Sequence, residues 1–432
     1  MTKRGRSIRV PVLARVEGEG ALEIDIAGNR ITRLDLRIYE PPRLFEKFLE
    51  GRSYLEVPDM VARICGICPV AYQMSAVAAI EDAFGFTPGP ELRAWRRLLY
   101  CGEWIESHAL HIHLLAAPDV LGFESVLDMA QAWPEVVERG LRLQALGNRI
   151  LAVLGGRSVH PVSVRPGGFS RLPGPEALDP LQEACRAALE TARDLVAWTA
   201  SLDLPRETQD FPCVALRHPH EYPMNEGRIA ATTGLEIPVS EFEAHFEEYQ
   251  VPHSTALHSR LAGRSYLVGP LARLNLNRDR LPPPVAEALA ATGIAFPSHN
   301  SHFSIVARAV EIFLALSEAV RILDDPPPAA PALARPLQPR AAEGFGCTEA
   351  PRGILYHRYR FDADGRVQAA RITPPTSQNQ ARMEEDARLA LERFGLDRPD
   401  EELRRYAERV IRNYDPCISC ATHFLRLKVN RR

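Results

Sequence analysis

No apolar run in this 432-residue chain approaches the ~18–20 residues that a membrane-spanning helix needs. The opening MTKRGRSIRVPVLARVEGEG is basic without an apolar stretch behind it, so no secretory leader is expected and cytoplasm is the expected compartment. A dominant charge sign is missing too. The 52 Lys+Arg against 55 Asp+Glu leave a formal net of −3, which removes the electrostatic basis for a main role on nucleic acid or an anionic membrane. Lysine is scarce, standing only at Lys3, Lys47 and Lys428, so arginine carries nearly all the positive charge. No G-x-G-x-x-G follows a strand-like run, which leaves no nicotinamide site to expect on this chain. Hydrophobic residues at 46% and charged residues at 25% are ordinary for a globular protein and exclude disorder and collagen-like sequence.

Eight cysteines are too few in a chain this long for a disulfide scaffold, and paired thiols in a reducing compartment read first as metal ligands or redox groups. Cys101, Cys185, Cys213 and Cys347 are isolated and read as small buried hydrophobes. The other four form two Cys-x-x-Cys pairs, Cys65 with Cys68 and Cys417 with Cys420.

Apolar and polar residues alternate from Ser7 to Tyr39 around Gly28-Asn29, a hairpin signal. From Ala71 to Leu154 the pattern is helical, with breaks expected at Pro88-Gly89-Pro90 and near Pro118. A loop follows His160, and helices are expected over 175–200 and 304–323, with a polar, mixed segment between them. The stretch 324–339 is too rich in proline for helix or central strand and reads as an exposed, semi-rigid connector. A second hairpin is expected over 354–372, turning at Asp362-Ala363-Asp364-Gly365, and two more helices over 378–394 and 399–412. The fold class expected is α+β, predominantly α: a long helix bundle with small antiparallel sheets near both ends. One large domain is expected over 1–432, with a hairpin at 7–40, a helical body at 41–323, the connector at 324–339, a C-terminal part at 340–423 and a tail at 424–432.

Each Cys-x-x-Cys sets two thiols close enough on a turn or helix end to share one centre. Four thiolates suit zinc, an iron–sulfur cluster or a soft late transition metal. A zinc ribbon keeps its pairs about 15–20 residues apart; here they lie at opposite ends of the chain. That spacing favours a site buried between two halves of a protein and leaves the metal open.

The residues around the pairs narrow the choice. Arg63-Ile-Cys-Gly-Ile-Cys-Pro69 and Asp415-Pro-Cys-Ile-Ser-Cys-Ala-Thr-His423 resemble the two signatures of the large subunit of [NiFe] hydrogenases. Arg15-Val-Glu-Gly18, Ser107-His-Ala-Leu-His111 followed by Pro118-Asp119, Glu349-Ala-Pro-Arg-Gly353 and Thr373-Pro-Pro-Thr-Ser-Gln-Asn379 are similar to further motifs of that family, in the same order. The cysteine pairs argue against its metal-free, quinone-binding relatives.

The resemblance implies a catalytic subunit that oxidises H2 reversibly to protons and electrons. Cys65, Cys68, Cys417 and Cys420 would bind nickel, with Cys68 and Cys420 bridging to an iron that carries one CO and two CN ligands. Arg352 would lie over the open face with Asp119, Asp415 and Pro351, and Thr376 with Pro374 would contact a cyanide. Cys417 would be the first proton acceptor and Glu17 the next carboxyl, although Glu17 taken alone reads better as an ion-pair partner of Arg15 on an exposed strand. Glu46, the Ile372 carbonyl and His423 would hold a Mg2+ or Fe2+ near the C-terminus. His108, His111 and His113 read as packing or hydrogen-bonding residues.

The same resemblance implies an obligate iron–sulfur small subunit and flavin (FAD) and NAD(P)-binding diaphorase subunits, since this chain has no further cysteine clusters of its own. The NADP-linked, sulfhydrogenase-like branch is the expectation, with NAD-linked and deazaflavin-linked relatives as the alternatives. It also implies nickel-insertion chaperones and a maturation endopeptidase that removes Phe424–Arg432 behind His423. Two other classes stay open: a hydrogen-sensing relative, and a non-catalytic protein with a structural four-cysteine zinc site.

Overall fold

The N-terminal alternation folds as an antiparallel sheet of β1 (Arg6–Val10), β2 (Gly20–Ala27) and β3 (Arg30–Ile38). Gly28, at φ 64°, makes the tight turn between β2 and β3. The computed structural model describes residues 5–422. Ile24 pairs with Leu34 and Leu22 with Leu36, so the apolar half of the alternation faces the core while Glu23 and Arg37 pair outside.

The helical body starts with α1 (Pro69–Phe84), which has proline in its first turn and ends at Gly85 in the left-handed region. Next comes α2 (Pro90–Leu110). The expected break near Pro118 does not occur. Instead the chain passes through a π-helical turn, His111–Ala116, into Ala117–Leu121, and stops at Gly122. Proline lacks an N–H, and the wider turn lets the helical ladder re-register around it. Long helices α3 (Pro134–Gly155), α4 (Pro175–Ser201) and α5 (Ser304–Asp324) complete the bundle, with α3 against α2 and α4 against α5.

Between α4 and α5 the polar segment is more structured than its sequence suggests. It holds a three-stranded sheet (Val214–Arg217, Arg228–Ala231, Glu236–Ile237), the hairpin β4 (Phe246–Tyr249) with β5 (His258–Leu261), and a helix at Pro270–Asn277. Strands of two to four residues are too short to show a period. The proline-rich stretch after α5 is docked rather than free: Ala332 and Leu337 are buried, and Ala334 N donates to Phe169 O at 2.8 Å.

Near the C-terminus, the expected hairpin is β7 (Gly353–Phe361) with β8 (Val367–Thr373), joined by an unexpected third strand, β6 (Ala342–Ala350). Its glycines hid it. A Cβ on Gly344 would sit 2.1 Å from Ala79 O, and one on Gly346 2.2 Å from Ser75 O, so α1 lies directly on the backbone of β6. The last helices, α6 (Pro375–Phe394) and α7 (Asp400–Asn413), lead into the turn that carries Cys417 and Cys420. Among the described residues no single helix is long and apolar enough to cross a membrane.

Candidate metal centre

Cys65 and Cys68 flank the turn that leads into α1, and Cys68 is the residue before its first turn. Cys417 precedes, and Cys420 belongs to, the short helix Ile418–Ala421. The fold brings these pairs together in the core, with all four side chains buried. The Sγ atoms of Cys65 and Cys417 are 3.4 Å apart, those of Cys68 and Cys420 3.7 Å, and those of Cys417 and Cys420 2.8 Å. These separations exceed a disulfide bond. Four thiolates around one ion at about 2.3 Å lie roughly 3.7 Å from one another, so the pocket suits a shared soft metal. Burial pushes the Cys417 thiol up, whereas hydrogen bonds from Cys417, Cys420 and Cys68 hold Cys65 well below the usual thiol range. Without a cation, then, the pocket cannot hold four thiolates.

Arg352 supplies a buried positive charge that acts on Cys65. Its Nε donates to Asp415 O at 2.7 Å and its Nη2 to Asp415 Oδ1 at 3.1 Å, and the residue is 3% exposed. Burial opposes its charge, but the Asp415 carboxylate and Cys417, Cys68 and Cys65 keep it protonated. Arg352 Nη1 and Asp415 Oδ2 have no hydrogen-bond partner among the described residues. Asp415 itself stands at φ 53°, a left-handed conformation that costs energy outside glycine and is held by its own N–H to Arg412 O at 2.9 Å.

Glu17 meets this site from the N-terminal segment. Its backbone pairs with Cys417 in an isolated parallel bridge, with Ile418 N donating to Glu17 O at 3.0 Å. Cys417 Sγ lies 3.1 Å from Glu17 Oε2, which also accepts Ser419 N at 3.1 Å. An ion pair with Arg15 is absent: Arg15 turns to Leu115 O and Asp119. Thr376, at the start of α6, accepts Cys417 N through Oγ1 at 3.0 Å, which leaves its hydroxyl hydrogen to donate. Pro374 immediately precedes that helix and is buried. Pro351 O accepts from Arg273 at 2.8 Å.

Asp119 is held by two arginines. Arg15 and Arg412 take up its carboxylate, Arg412 at 2.6 and 2.9 Å, and no hydrogen bond joins it to Arg352 among the described residues. Glu46 Oε1 accepts Ile372 N at 2.8 Å, which sets those two residues side by side. His423 and the tail Phe424–Arg432 lie outside the described residues. The three helix histidines are structural contacts, as expected: His108 Nε2 meets Glu311 at 2.9 Å, His111 Nε2 meets Arg412 O at 2.8 Å, and His113 stacks on Trp198.

Several residues behind the site carried no recognisable motif. Glu103 caps the N-terminus of α1, accepting Val70 N at 2.6 Å and Ala71 N at 3.0 Å. Glu106, one turn on, feels Arg352, Cys65 and Asp415, and burial raises its pKa well above the carboxylate range despite Arg352. Two carboxyls three apart inside the apolar run of α2 were the available signal. Arg273, fully buried, joins Glu311 at 2.7 Å to Glu349 at 2.9 Å and holds the carbonyls of Ala350 and Pro351. It thereby fixes the turn that presents Arg352. Glu40 accepts Ser419 Oγ at 3.4 Å and Thr422 Oγ1 at 3.3 Å.

Comparison with known proteins points the same way. The sequence pattern of the nickel-dependent hydrogenases matches residues 43–139 and 258–423. Sulfhydrogenase 1 subunit alpha of Pyrococcus furiosus is 36% identical, the match covering 97% of this chain and 98% of that one. The NAD-reducing hydrogenase HoxS subunit beta of Cupriavidus necator is 28% identical, over 97% of this chain and 95% of its own. Among solved structures, an NAD+-reducing [NiFe]-hydrogenase in the H2-reduced state superposes with a TM-score of 0.83 at 27% identity, covering 98% of this chain and 100% of that one. A Ni-Fe-Se hydrogenase of D. vulgaris Hildenborough, 23% identical with a TM-score of 0.79 over 97% of this chain and 100% of its own, shares the fold.

Proposed function

The chain belongs to the nickel-dependent hydrogenase family, as its large, catalytic subunit, and from that premise we propose how its own residues hold the centre and move protons. The observation that carries the reading is the convergence of four buried thiols from opposite ends of the chain, with a buried Arg352–Asp415 pair on one side and Glu17 on another. Cys65, Cys68, Cys417 and Cys420 would hold nickel, Cys68 and Cys420 also reaching an iron with one CO and two CN ligands. When bound, this group supplies the heterolytic cleavage of H2, which yields two protons and two electrons.

Four thiolates and two cyanides outweigh the metals' charge, so the site needs a buried cation and hydrogen-bond donors. The unpartnered Arg352 Nη1 is a donor available for the open face, and Asp415 orients it. Thr376 has a hydroxyl hydrogen for a cyanide, with Pro374 placing backbone beside it, while Pro351 adjoins Arg352 over the open face. Cys417 accepts the first proton and passes it to Glu17, whose carboxylate oxygen is already within hydrogen-bond reach. Ser419 and Glu40 stand next along that path. Asp119 acts through Arg412 and Arg15, holding the segments that carry Asp415 and Glu17. Glu46, Ile372 and His423 would hold a Mg2+ or Fe2+ ion.

Similarity to sulfhydrogenase alpha and NAD-reducing hydrogenase subunits supports electron transfer through an iron–sulfur small subunit to a flavin and NAD(P) module, with NADP as the proposed acceptor and the cytoplasm as the location. Nickel-insertion chaperones and a C-terminal endopeptidase complete the proposed partners.

The test is anaerobic turnover of the purified complex, with H2 as donor and NADP+, NAD+ or a viologen as acceptor. Reduction of NADP+ that is lost in Cys417→Ala, together with nickel, supports the reading. A nickel-loaded complex that reduces none of the three acceptors refutes it and favours the hydrogen-sensing role.

A further inference from the structure

Far from the cysteines in sequence, two imidazoles and a carboxylate meet where β3, the β4–β5 hairpin and α6 adjoin. His253 Nε2 lies 2.7 Å from Glu384 Oε1, and His258 Nε2 lies 3.3 Å from Glu384 Oε2. One ligand atom from each residue falls within 4.8 Å of the others. The two rings stand 86° apart with centroids separated by 5.8 Å. Imidazoles bound through Nε2 to one zinc ion at about 2.0–2.1 Å have their centroids roughly 5–6 Å apart. The side chains therefore already have the spacing of a ligand pair.

The surroundings fix each group from behind. Leu36 N donates to Glu384 Oε1 at 2.9 Å. Asp35 Oδ1 stands 3.8 Å from His253 Nδ1, on the ring nitrogen opposite the one that meets Glu384. At that distance the carboxylate acts on the ring by charge rather than by a hydrogen bond. His258 is 1% exposed, packed beside Tyr249. Burial opposes ionisation of Glu384, but hydrogen bonds from His258 and His253 hold its carboxyl below the ordinary range. Arg33, donating to Asp35 Oδ2 at 2.6 Å, is the only guanidinium or ammonium paired with either carboxylate among the described residues. Glu384 also lines a cavity of about 500 Å³ whose wall carries Arg33, Arg260, Arg264 and Arg388 beside Asp210 and Glu385, so the carboxylate is reached from a polar, charged surface.

We propose that His253, His258 and Glu384 form a second, separate site for a zinc-type divalent ion, with water completing its coordination. Two histidines, one carboxylate and an open position are a common zinc ligand set. The ion would join three elements that share no covalent constraint: the N-terminal sheet through Asp35, the β4–β5 hairpin through His258, and α6 through Glu384. Because the first turn of α6 carries Thr376, whose Oγ1 accepts Cys417 N at 3.0 Å, the site braces the helix that supports the cysteine centre.

The experiment uses the purified multisubunit complex, dialysed against chelator, reloaded with Zn2+ and freed of excess. Zinc content and the zinc-edge X-ray absorption spectrum are then compared between wild type and the His253→Gln and Glu384→Gln variants. The expected result is one zinc per large subunit, ligated by two imidazoles and oxygen without sulfur. Each variant should lose that zinc and melt at lower temperature than the zinc-loaded wild type. Absence of stoichiometric zinc in the wild type overturns the proposal, whether or not the variants fold. So does zinc bound through sulfur, or zinc retained equally by the variants.

Discussion

Cys417 Sγ and Glu17 Oε2 stand 3.1 Å apart although 400 residues separate them. The same two residues are joined by backbone, Ile418 N donating to Glu17 O. The carboxylate is thus held at the thiol by the chain itself rather than by side-chain chance. A group so placed can take a proton from Cys417 with no rearrangement.

Replacing Glu17 by Gln keeps an acceptor for Ser419 N but removes the titratable carboxylate. Proton exchange between H2 and solvent is expected to fall by about 10²-fold or more, with metal content unchanged. Isotope exchange in D2O measures this directly. An unchanged rate means that protons leave by another route.

Arg352→Lys keeps the positive charge and loses the fork that contacts Asp415 twice. Hydrogen turnover is expected to drop at least about tenfold, as one lost charge-assisted hydrogen bond would produce. Nickel content should stay near that of the wild type. A variant that turns over at the wild-type rate contradicts the role given to the guanidinium.

Arg273→Met tests support rather than chemistry. It leaves Glu311 and Glu349 buried without their cation, a change of about 3–5 kcal/mol in comparable buried pairs. It also frees the carbonyls before Arg352. Thermal unfolding should show a loss of several degrees, and nickel should be retained less well. An unaltered melting temperature refutes this.

Acid should destabilise the subunit well before the carboxylates titrate. Burial lowers His108 to about 4, and His111, His113 and His302 to about 3. These rings are neutral in the fold while the unfolded chain takes up protons near pH 6.5. The unfolded state therefore binds more protons between about pH 6.5 and 3, and stability falls as pH falls through that window. Glu311, lowered to about 2 by Arg273 against the effect of burial, adds a further loss below the ordinary carboxylate range. Melting temperature measured from pH 7.5 to 5 should decline below about 6.5; a flat profile contradicts the burial of these imidazoles.

The fold class was legible in the sequence, and so were the four cysteines that the fold gathers. Cys65, Cys68, Cys417 and Cys420 stand out as two Cys-x-x-Cys pairs, whereas Arg352 and Glu17 are marked only by motifs that resemble the family's. Long periodic elements were equally readable, from the Gly28 hairpin to α5 and α6. What escaped was set by tertiary contact. Strand β6 looked like nothing because Gly344 and Gly346 are there to admit α1. The short strands between α4 and α5 have too few residues to show alternation. The family resemblance groups Asp119 with Arg352, but nothing local in the sequence shows that its ion-pair partners Arg15 and Arg412 arrive from distant segments. Glu103, Glu106 and Arg273 resemble ordinary charged helix residues until the fold buries them.

The central claim is that the four cysteines hold a nickel–iron centre with diatomic ligands. An infrared spectrum of the complex purified from its own host, taken in the metal-carbonyl and cyanide stretching region together with nickel and zinc analysis, tests it most directly. One carbonyl band, two cyanide bands and one nickel per large subunit are expected. A chain already trimmed behind His423 that shows none of these bands, and carries zinc bound through sulfur in place of nickel, would contradict it.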